Sequence, residues 1–164
     1  RDCLLSRGLG DVYKRQGMSE SKTWFCRTEE DTAEIGRKLA SIARRGDCFA
    51  LYGTLGMGKS VLCRAFIRSL ADAGEVPSPT FTLVQSYPAE EFEIYHFDLY
   101  RLKSPEEIFE LGMEEALCEG VCLIEWPEKM GAYLPRRAFR VDISAEKDCR
   151  RITVTGPERL NALE

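Results

Sequence analysis

A glycine-rich segment from Gly53 to Ser60 carries the clearest chemistry in this sequence. It reads GTLGMGKS and matches the pattern GxxxxGK[ST] at every fixed position. Glycines let backbone N–H groups curl around a phosphate, and the N-terminus of a following helix adds partial positive charge. Lys59 can reach the β- and γ-phosphates of a nucleotide, and the Ser60 hydroxyl can ligate Mg²⁺. A glycine turn with a chance GKS is the alternative, but a lysine at a helix N-terminus is unfavourable without an anion beside it.

Two acidic residues further along could complete a site for a nucleotide and its metal ion. Asp98 closes the segment YHFD, and Glu125 closes the apolar run VCLI. Ligands of parallel α/β sheets bind at the carboxyl ends of the strands, so each acid could hold Mg²⁺ or orient an attacking water. The alternatives are a turn cap for Asp98 and a solvated strand end for Glu125.

Four other residues near these motifs have weaker signals. Thr80, in SPTFT, could sense Mg²⁺ and the γ-phosphate as a switch, although the flanking prolines equally suggest a rigid connector. His96 is the only histidine, and a lone histidine on a strand is more often structural than catalytic. Trp126 could be core, and Arg101 could pair with phosphate or form a surface salt bridge.

The elements around the motifs alternate between helix and strand patterns. A capping box at Thr28 opens a helix that Gly46 ends, and a second helix runs from Lys59 to about Ala71. The segment SPEE at 104–107 predicts a third helix that stops near Gly112. Strands are predicted at 48–52, 81–87, 92–97, 121–124, 139–144 and 150–155. Helices interleaved with apolar strands predict an α/β domain with a largely parallel sheet.

Composition excludes several classes of protein. The chain has 164 residues, 44% of them hydrophobic, and a formal net charge of −4. We see no basic stripe for reading nucleic-acid phosphates and no apolar run of about 20 residues for a membrane span. The seven cysteines form no CxxC pair, which argues against a zinc site and favours reduced thiols in the cytosol.

The first 17 residues do not fit the pattern of the rest. They have no apolar segment of signal-peptide length and neither a helix nor a strand period, and they resemble translated adapter sequence. We therefore predict that residues 1–17 are a non-native or disordered leader and that residues 18–164 form one domain, beginning at Met18. A flexible natural tail is the alternative.

Four motifs in order, GTLGMGKS, SPTFTLVQSY, HFDLYRL and LIEWPE, resemble the TsaE (YjeE) family. The resemblance spans about Thr28 to Thr155. It implies a P-loop NTPase-like three-layer fold, with a mostly parallel central sheet flanked by helices and antiparallel strands at the C-terminal end. It also implies a small cytoplasmic bacterial ATPase that uses ATP and Mg²⁺ in making N6-threonylcarbamoyladenosine beside the anticodon of tRNA. TsaE proteins act on the TsaB–TsaD complex, in which TsaD carries the transfer chemistry.

The resemblance also implies roles for individual residues. Thr80, Asp98 and Glu125 are the catalytic candidates, and Ser60, Asp98 and Glu125 are the Mg²⁺ candidates. The nucleotide would be held by Gly53, Leu55, Gly56, Met57, Gly58, Lys59, Ser60, Val61 and Trp126. The loop departs from the family's usual GDLGAGKT at three positions. Ser60 is equivalent to threonine for Mg²⁺, whereas Thr54 removes a carboxylate and Met57 adds bulk near the phosphates.

Three other classes of function are compatible with a phosphate loop. A small-molecule kinase would need an acceptor pocket and usually an arginine-bearing lid, which the sequence between Leu111 and Glu125 does not suggest. A GTPase would carry an NKxD motif, which is absent from the sequence. A non-hydrolysing binding module is disfavoured by the intact set of Lys59, Ser60, Asp98 and Glu125. Without a clear arginine finger in the chain, we expect slow hydrolysis that partners stimulate.

Because the chain is acidic, we predict that it binds tRNA weakly or not at all without its partners. An electrophoretic shift assay with the isolated protein at physiological salt tests this expectation. Tight binding would contradict it.

Overall fold

The structure is a computed structural model that describes residues 20–54 and 58–164. The predictions for residues 1–17, and those for Leu55, Gly56 and Met57, lie outside the described residues. The division of the chain into a leader and one domain stays a prediction.

The described residues form a seven-stranded sheet in the order β1-β7-β6-β2-β5-β4-β3. The strands are β1 (Glu20–Cys26), β2 (Cys48–Tyr52), β3 (Val84–Pro88), β4 (Glu93–Asp98), β5 (Val121–Glu125), β6 (Phe139–Ala145) and β7 (Arg150–Gly156). The four central strands β6, β2, β5 and β4 run parallel, and β1, β7 and β3 pair antiparallel with their neighbours. The α/β class and the antiparallel C-terminal pair are confirmed. The sheet is mixed, with parallel pairing confined to its centre.

Two strands differ from the sequence prediction. β1 was not predicted, because its ESKTWFC pattern is short and half-exposed, and its place depends on pairing with distant β7. β3 begins at Val84 and not at Phe81. The preceding residues form a turn in which Leu83 N–H donates to Pro79 O at 2.8 Å, and Leu83 has a left-handed φ of 69°.

The helices are α1 (Glu29–Ile42), α2 (Lys59–Leu70) and α3 (Met113–Glu119), with 3-10 helices at Pro105–Leu111, Pro127–Tyr133 and Glu158–Ala162. The predicted capping box is present at the start of α1. Asp31 N–H donates to Thr28 Oγ1 at 3.1 Å, and Thr28 N–H donates to the Asp31 carboxylate at 3.2 Å. The helix predicted from SPEE is present as the 3-10 helix Pro105–Leu111 and ends before Gly112 as expected, but the Ser104 side chain makes no cap hydrogen bond.

Alternating residues of the central strands feed two hydrophobic clusters on opposite faces of the sheet. Phe49 and Leu123 pack in a cluster with residues of α1 and α2, and the ring of Phe49 lies 5.1 Å from that of Phe66. Cys48 and Cys122 belong to the other cluster, which includes residues of α3. Along β4 and β5, the side chains of His96, Asp98 and Glu125 occupy alternate positions that point to the same side of the sheet as Phe49. They therefore lie on the face covered by α1 and α2.

No helix within residues 20–54 and 58–164 has the length and apolar character needed to cross a membrane. Cys26, Cys63 and Cys149 are free thiols, in line with the sequence prediction. Cys118, in contrast, is disulfide-bonded, so the prediction of reduced thiols is wrong for this residue.

Helices α1 and α2 approach each other closely at a glycine. A Cβ placed on Gly36 would collide with the backbone carbonyl oxygen of Leu62, and it would also press on the side chain of Ala65. Glycine at position 36 therefore sets the distance between the two helices.

We predict that Gly36→Ala destabilises the protein by about 1–3 kcal/mol, because a buried backbone atom cannot move aside as a side chain would. Chemical denaturation monitored by circular dichroism measures the change. Ser41→Ala, an exposed change on the same helix, should stay within about 0.5 kcal/mol and serves as the control. Equal stability of Gly36→Ala and the wild type would contradict the close approach.

Candidate functional site

The candidate site lies where three parallel strands end. β2 leads through Gly53 toward Lys59, β4 ends at Asp98, and β5 ends at Glu125. In the register of β4 and β5, Asp98 is paired with Glu125. Two acids and one lysine, far apart in the chain, therefore meet at one edge of the sheet, which is where parallel α/β sheets bind ligands.

A pocket of about 300 Å³ opens between these residues. Most of its lining residues are polar or charged, and they include most of the predicted site residues that the structure describes. The lining residues are Gly58, Lys59, Ser60, Ser78, Thr80, Asp98, Tyr100, Arg101, Glu125 and Trp126.

Lys59 is the first residue of α2 and is only 5% exposed. Its Nζ donates to Gly53 O at 2.7 Å and lies 4.1 Å from the ring centroid of Trp126. The carbonyl and the indole are both uncharged, so neither neutralises the positive charge that the ammonium brings to the pocket. The preceding Gly58 has a φ of 101°, which a residue with a side chain would adopt only with strain. The local geometry therefore suits an anion.

The position of Trp126 is fixed by its backbone conformation and by a contact between aromatic rings. Its backbone φ of 59° is left-handed, a conformation that costs a bulky residue about 1–3 kcal/mol. Its ring lies 5.0 Å from the ring of Tyr100. This strained backbone aims the indole at Lys59, so Trp126 is a wall of the site and not simply a core residue.

Asp98 is 6% exposed and is bonded through both carboxylate oxygens. Tyr100 N–H donates to Oδ1 at 3.1 Å, and the Thr80 hydroxyl donates to Oδ2 at 3.4 Å. The oxygens of Ser78 and Thr80 are 2.9 Å apart. The turn that contains Thr80 is thus connected to the acid that ends β4.

Glu125, also 6% exposed, lies against a histidine. His96 Nε2 is 2.7 Å from Glu125 Oε2, and the thiol of Cys63 completes a buried group whose ligand atoms lie within 4.8 Å of one another. Burial, and secondarily the negative charge of Glu125, raises the pKa of the Cys63 thiol well above its usual value of 9.0. Because His96 and Glu125 already bond to each other and burial disfavours the Cys63 thiolate, the three residues are poorly suited to sharing a metal ion. The contact that holds the Glu125 carboxylate comes from His96 and not from Cys63.

The pocket lining contains most of the predicted site residues and also Ser78 and Tyr100, which the sequence analysis did not propose as site residues. Val61 lines a separate groove between α1 and α2, next to Arg37 and Arg64, and is not a pocket residue. His96, which the sequence analysis considered more often structural than catalytic, contacts the acid of the neighbouring strand, and this contact was not predicted. Its position two residues before Asp98 on one strand was the available signal, because both side chains then share a face. Arg101 lines the pocket, with its guanidinium carbon 4.7 Å from the exposed ring of Phe81.

The fold and the site define an α/β protein with a pocket at the carboxyl ends of its parallel strands. The family model described as "Threonylcarbamoyl adenosine biosynthesis protein TsaE" matches residues 26–153. The chain belongs to the TsaE family.

Several curated relatives have the same printed name, tRNA threonylcarbamoyladenosine biosynthesis protein TsaE. The chain is 43% identical to that of Rickettsia conorii over 76% of this chain and 72% of the relative. It is 36% identical to that of Haemophilus influenzae over 86% of this chain and 93% of the relative. Among solved structures, the crystal structure of Bacillus subtilis YdiB is similar, with a TM-score of 0.70 and 29% identity over 90% of this chain and 93% of that one.

We predict that Cys63 resists alkylation by iodoacetamide at pH 8, because the thiolate is the reactive form and burial disfavours it. Peptide mass spectrometry should find Cys149, which is half-exposed, modified first, and Cys63 modified only after denaturant is added. Because the folded pKa is raised, folding stability is unaffected below the unfolded value of 9.0 and falls as the pH rises above it. Equal labelling of the two cysteines in the native protein would contradict this.

Proposed function

We propose that this chain is the ATP-binding and ATP-hydrolysing component of the machinery that makes N6-threonylcarbamoyladenosine in bacterial tRNA. The observation that carries the proposal is the buried Lys59 of the motif GTLGMGKS, which lines one pocket together with Asp98 and Glu125. Membership of the TsaE family supports the pathway. We further propose the three-layer P-loop fold and a cytoplasmic location.

The pocket suits the phosphates of ATP. Lys59 would contact the β- and γ-phosphates, and the backbone N–H groups at the start of α2 would bind their oxygens. The predicted contribution of Gly53, Leu55, Gly56, Met57, Gly58 and Val61 to nucleotide binding remains part of the proposal. Trp126, against the Lys59 ammonium, keeps water from one side of the charge.

The donor set also fits Mg²⁺. Ser60, Asp98 and Glu125 offer one hydroxyl and two carboxylates in the same pocket, and Mg²⁺ prefers such hard oxygen ligands. When bound, the ion would neutralise charge on the β- and γ-phosphates. In that setting Glu125 would orient the attacking water and accept its hydrogen bond. Thr80, whose hydroxyl donates to Asp98, would change its contacts according to whether the γ-phosphate is present.

We propose TsaB and TsaD as the partners and tRNA as an indirect one. Hydrolysis is then slow in the isolated chain and faster in the complex. The only arginine that lines the described part of the pocket, Arg101, lies against Phe81. A residue supplied by a partner, or a shift of Arg101 on docking, would provide the missing positive charge, and such a residue is worth about 10³–10⁵ in rate.

Lys59→Ala should weaken ATP binding by about 10- to 100-fold, because a charge-assisted contact to phosphate is lost. Isothermal titration calorimetry with ATP and Mg²⁺ measures the loss. Arg64→Ala on the same helix, which removes a positive charge outside the pocket, is the matched control and should bind as the wild type does. Retained affinity in Lys59→Ala would overturn the proposed nucleotide site.

Glu125→Gln and Asp98→Asn should each lower ATP hydrolysis in the presence of TsaB and TsaD by about 10²–10⁴-fold, because each removes a charge placed for the metal ion or the water. Phosphate release by the wild type with and without the two partners is the reference. Glu128→Gln, an exposed change next to the site, is the control. Unchanged hydrolysis in both site variants would refute the assignment.

Transfer of phosphate to a small molecule would support a kinase, and binding without phosphate release would support a non-hydrolysing module.

A further inference from the structure

His96, buried against Glu125, is a part of the site to which the proposed chemistry assigns no step. His96 is 2% exposed and lies on β4, one strand away from Glu125 on β5. The two side chains reach each other diagonally across the sheet, on the face that α2 covers. The 2.7 Å contact joins Nε2 to Oε2.

His96 is the donor of this hydrogen bond when the Glu125 carboxylate is ionised, as the proposed function requires. An ionised carboxylate only accepts, so Nε2 carries the proton and donates it. The other ring nitrogen, Nδ1, is buried and has no hydrogen-bond partner among the described residues. With the proton on Nε2, Nδ1 is a bare acceptor, which is less costly to bury unpaired than an N–H group.

The unpaired Nδ1 indicates that His96 serves something other than stability. An apolar side chain at this position would fill the same space without burying a polar atom that lacks a partner. The surrounding face of the sheet is apolar, with Ile94 and Leu123 both fully buried. Departures of this kind from a well-satisfied core are typical of functional sites.

We propose that His96 is a positioning residue that fixes the carboxylate of Glu125 for the attacking water and the metal ion. By holding Oε2, the imidazole sets the side-chain torsions of Glu125 and leaves Oε1 for the pocket. The proposal rests on the proposed ATPase function, and it assigns His96 no contact with the nucleotide. Partners that orient a site's carboxylate in this way are typically worth about 10- to 100-fold in activity.

Two amide substitutions at position 96 distinguish the effect of the hydrogen bond from the effect of the ring's volume. Gln at position 96 places its amide nitrogen near the position of Nε2 and can still donate to Glu125. Asn places its amide nitrogen near Nδ1 and falls short. We expect His96→Asn to lower kcat for ATP hydrolysis with TsaB and TsaD by about 10- to 100-fold with little change in KM, and His96→Gln to retain activity within about threefold of the wild type.

Cys63→Ala is the matched control for disturbed packing. Cys63 is fully buried in the same group, but it makes no hydrogen bond to Glu125 among the described contacts. We expect this variant to hydrolyse ATP within about threefold of the wild-type rate. Thermal unfolding of all variants checks that they fold.

A double-mutant cycle tests whether His96 acts through Glu125. If it does, His96→Asn combined with Glu125→Gln should be no slower than Glu125→Gln alone. A full additional loss in the double variant, wild-type kcat in His96→Asn, or failure of His96→Gln either to fold or to rescue would each overturn the proposal. If the wild-type protein itself hydrolyses no ATP with its partners, the proposed function has failed and not this inference about His96.

Discussion

The parallel register of β4 and β5 is the constraint on which the candidate site depends. It pairs Asp98 with Glu125 at the last residues of the two strands, and it places His96 two residues earlier on the same face. The ladder continues at the end, where Leu99 N–H donates to Glu125 O at 3.1 Å. A slip of one residue would turn these side chains to the opposite face, among the apolar residues packed on α3. The buried, apolar faces of both strands make such a slip unfavourable.

The site brings three charged side chains together where water is largely excluded. Lys59, Asp98 and Glu125 are each no more than 6% exposed, and burying ionised groups is costly unless each finds partners. The partners here are specific. Lys59 has a carbonyl and an indole, Asp98 has a backbone N–H and a hydroxyl, and Glu125 has an imidazole. Because the groups are already oriented, little reorganisation would be needed to act on a charged ligand.

Sequence reasoning succeeded where the signal was local. The capping box at Thr28 and the run of buried residues in β5 are short patterns whose geometry is decided within a few residues. It failed where distant pairing decides. β1 exists because β7 lies beside it, and the residues around Leu83 turn because they pack against the end of β4, where Asp98 N–H donates to Leu83 O at 3.0 Å. The contact of His96 with Glu125 could not be predicted for the same reason, since the two residues are 29 positions apart in the sequence.

The close approach of α1 and α2 at Gly36 has a mechanical consequence for the pocket. With no side chain between them, the helices are in direct backbone contact, so neither can slide past the other without a collision. The helix that begins with Lys59 and carries Cys63 is therefore braced against α1 at this point. A change in the distance between the lysine and the two acids would meet less resistance at the turn around Thr80 than between these two helices.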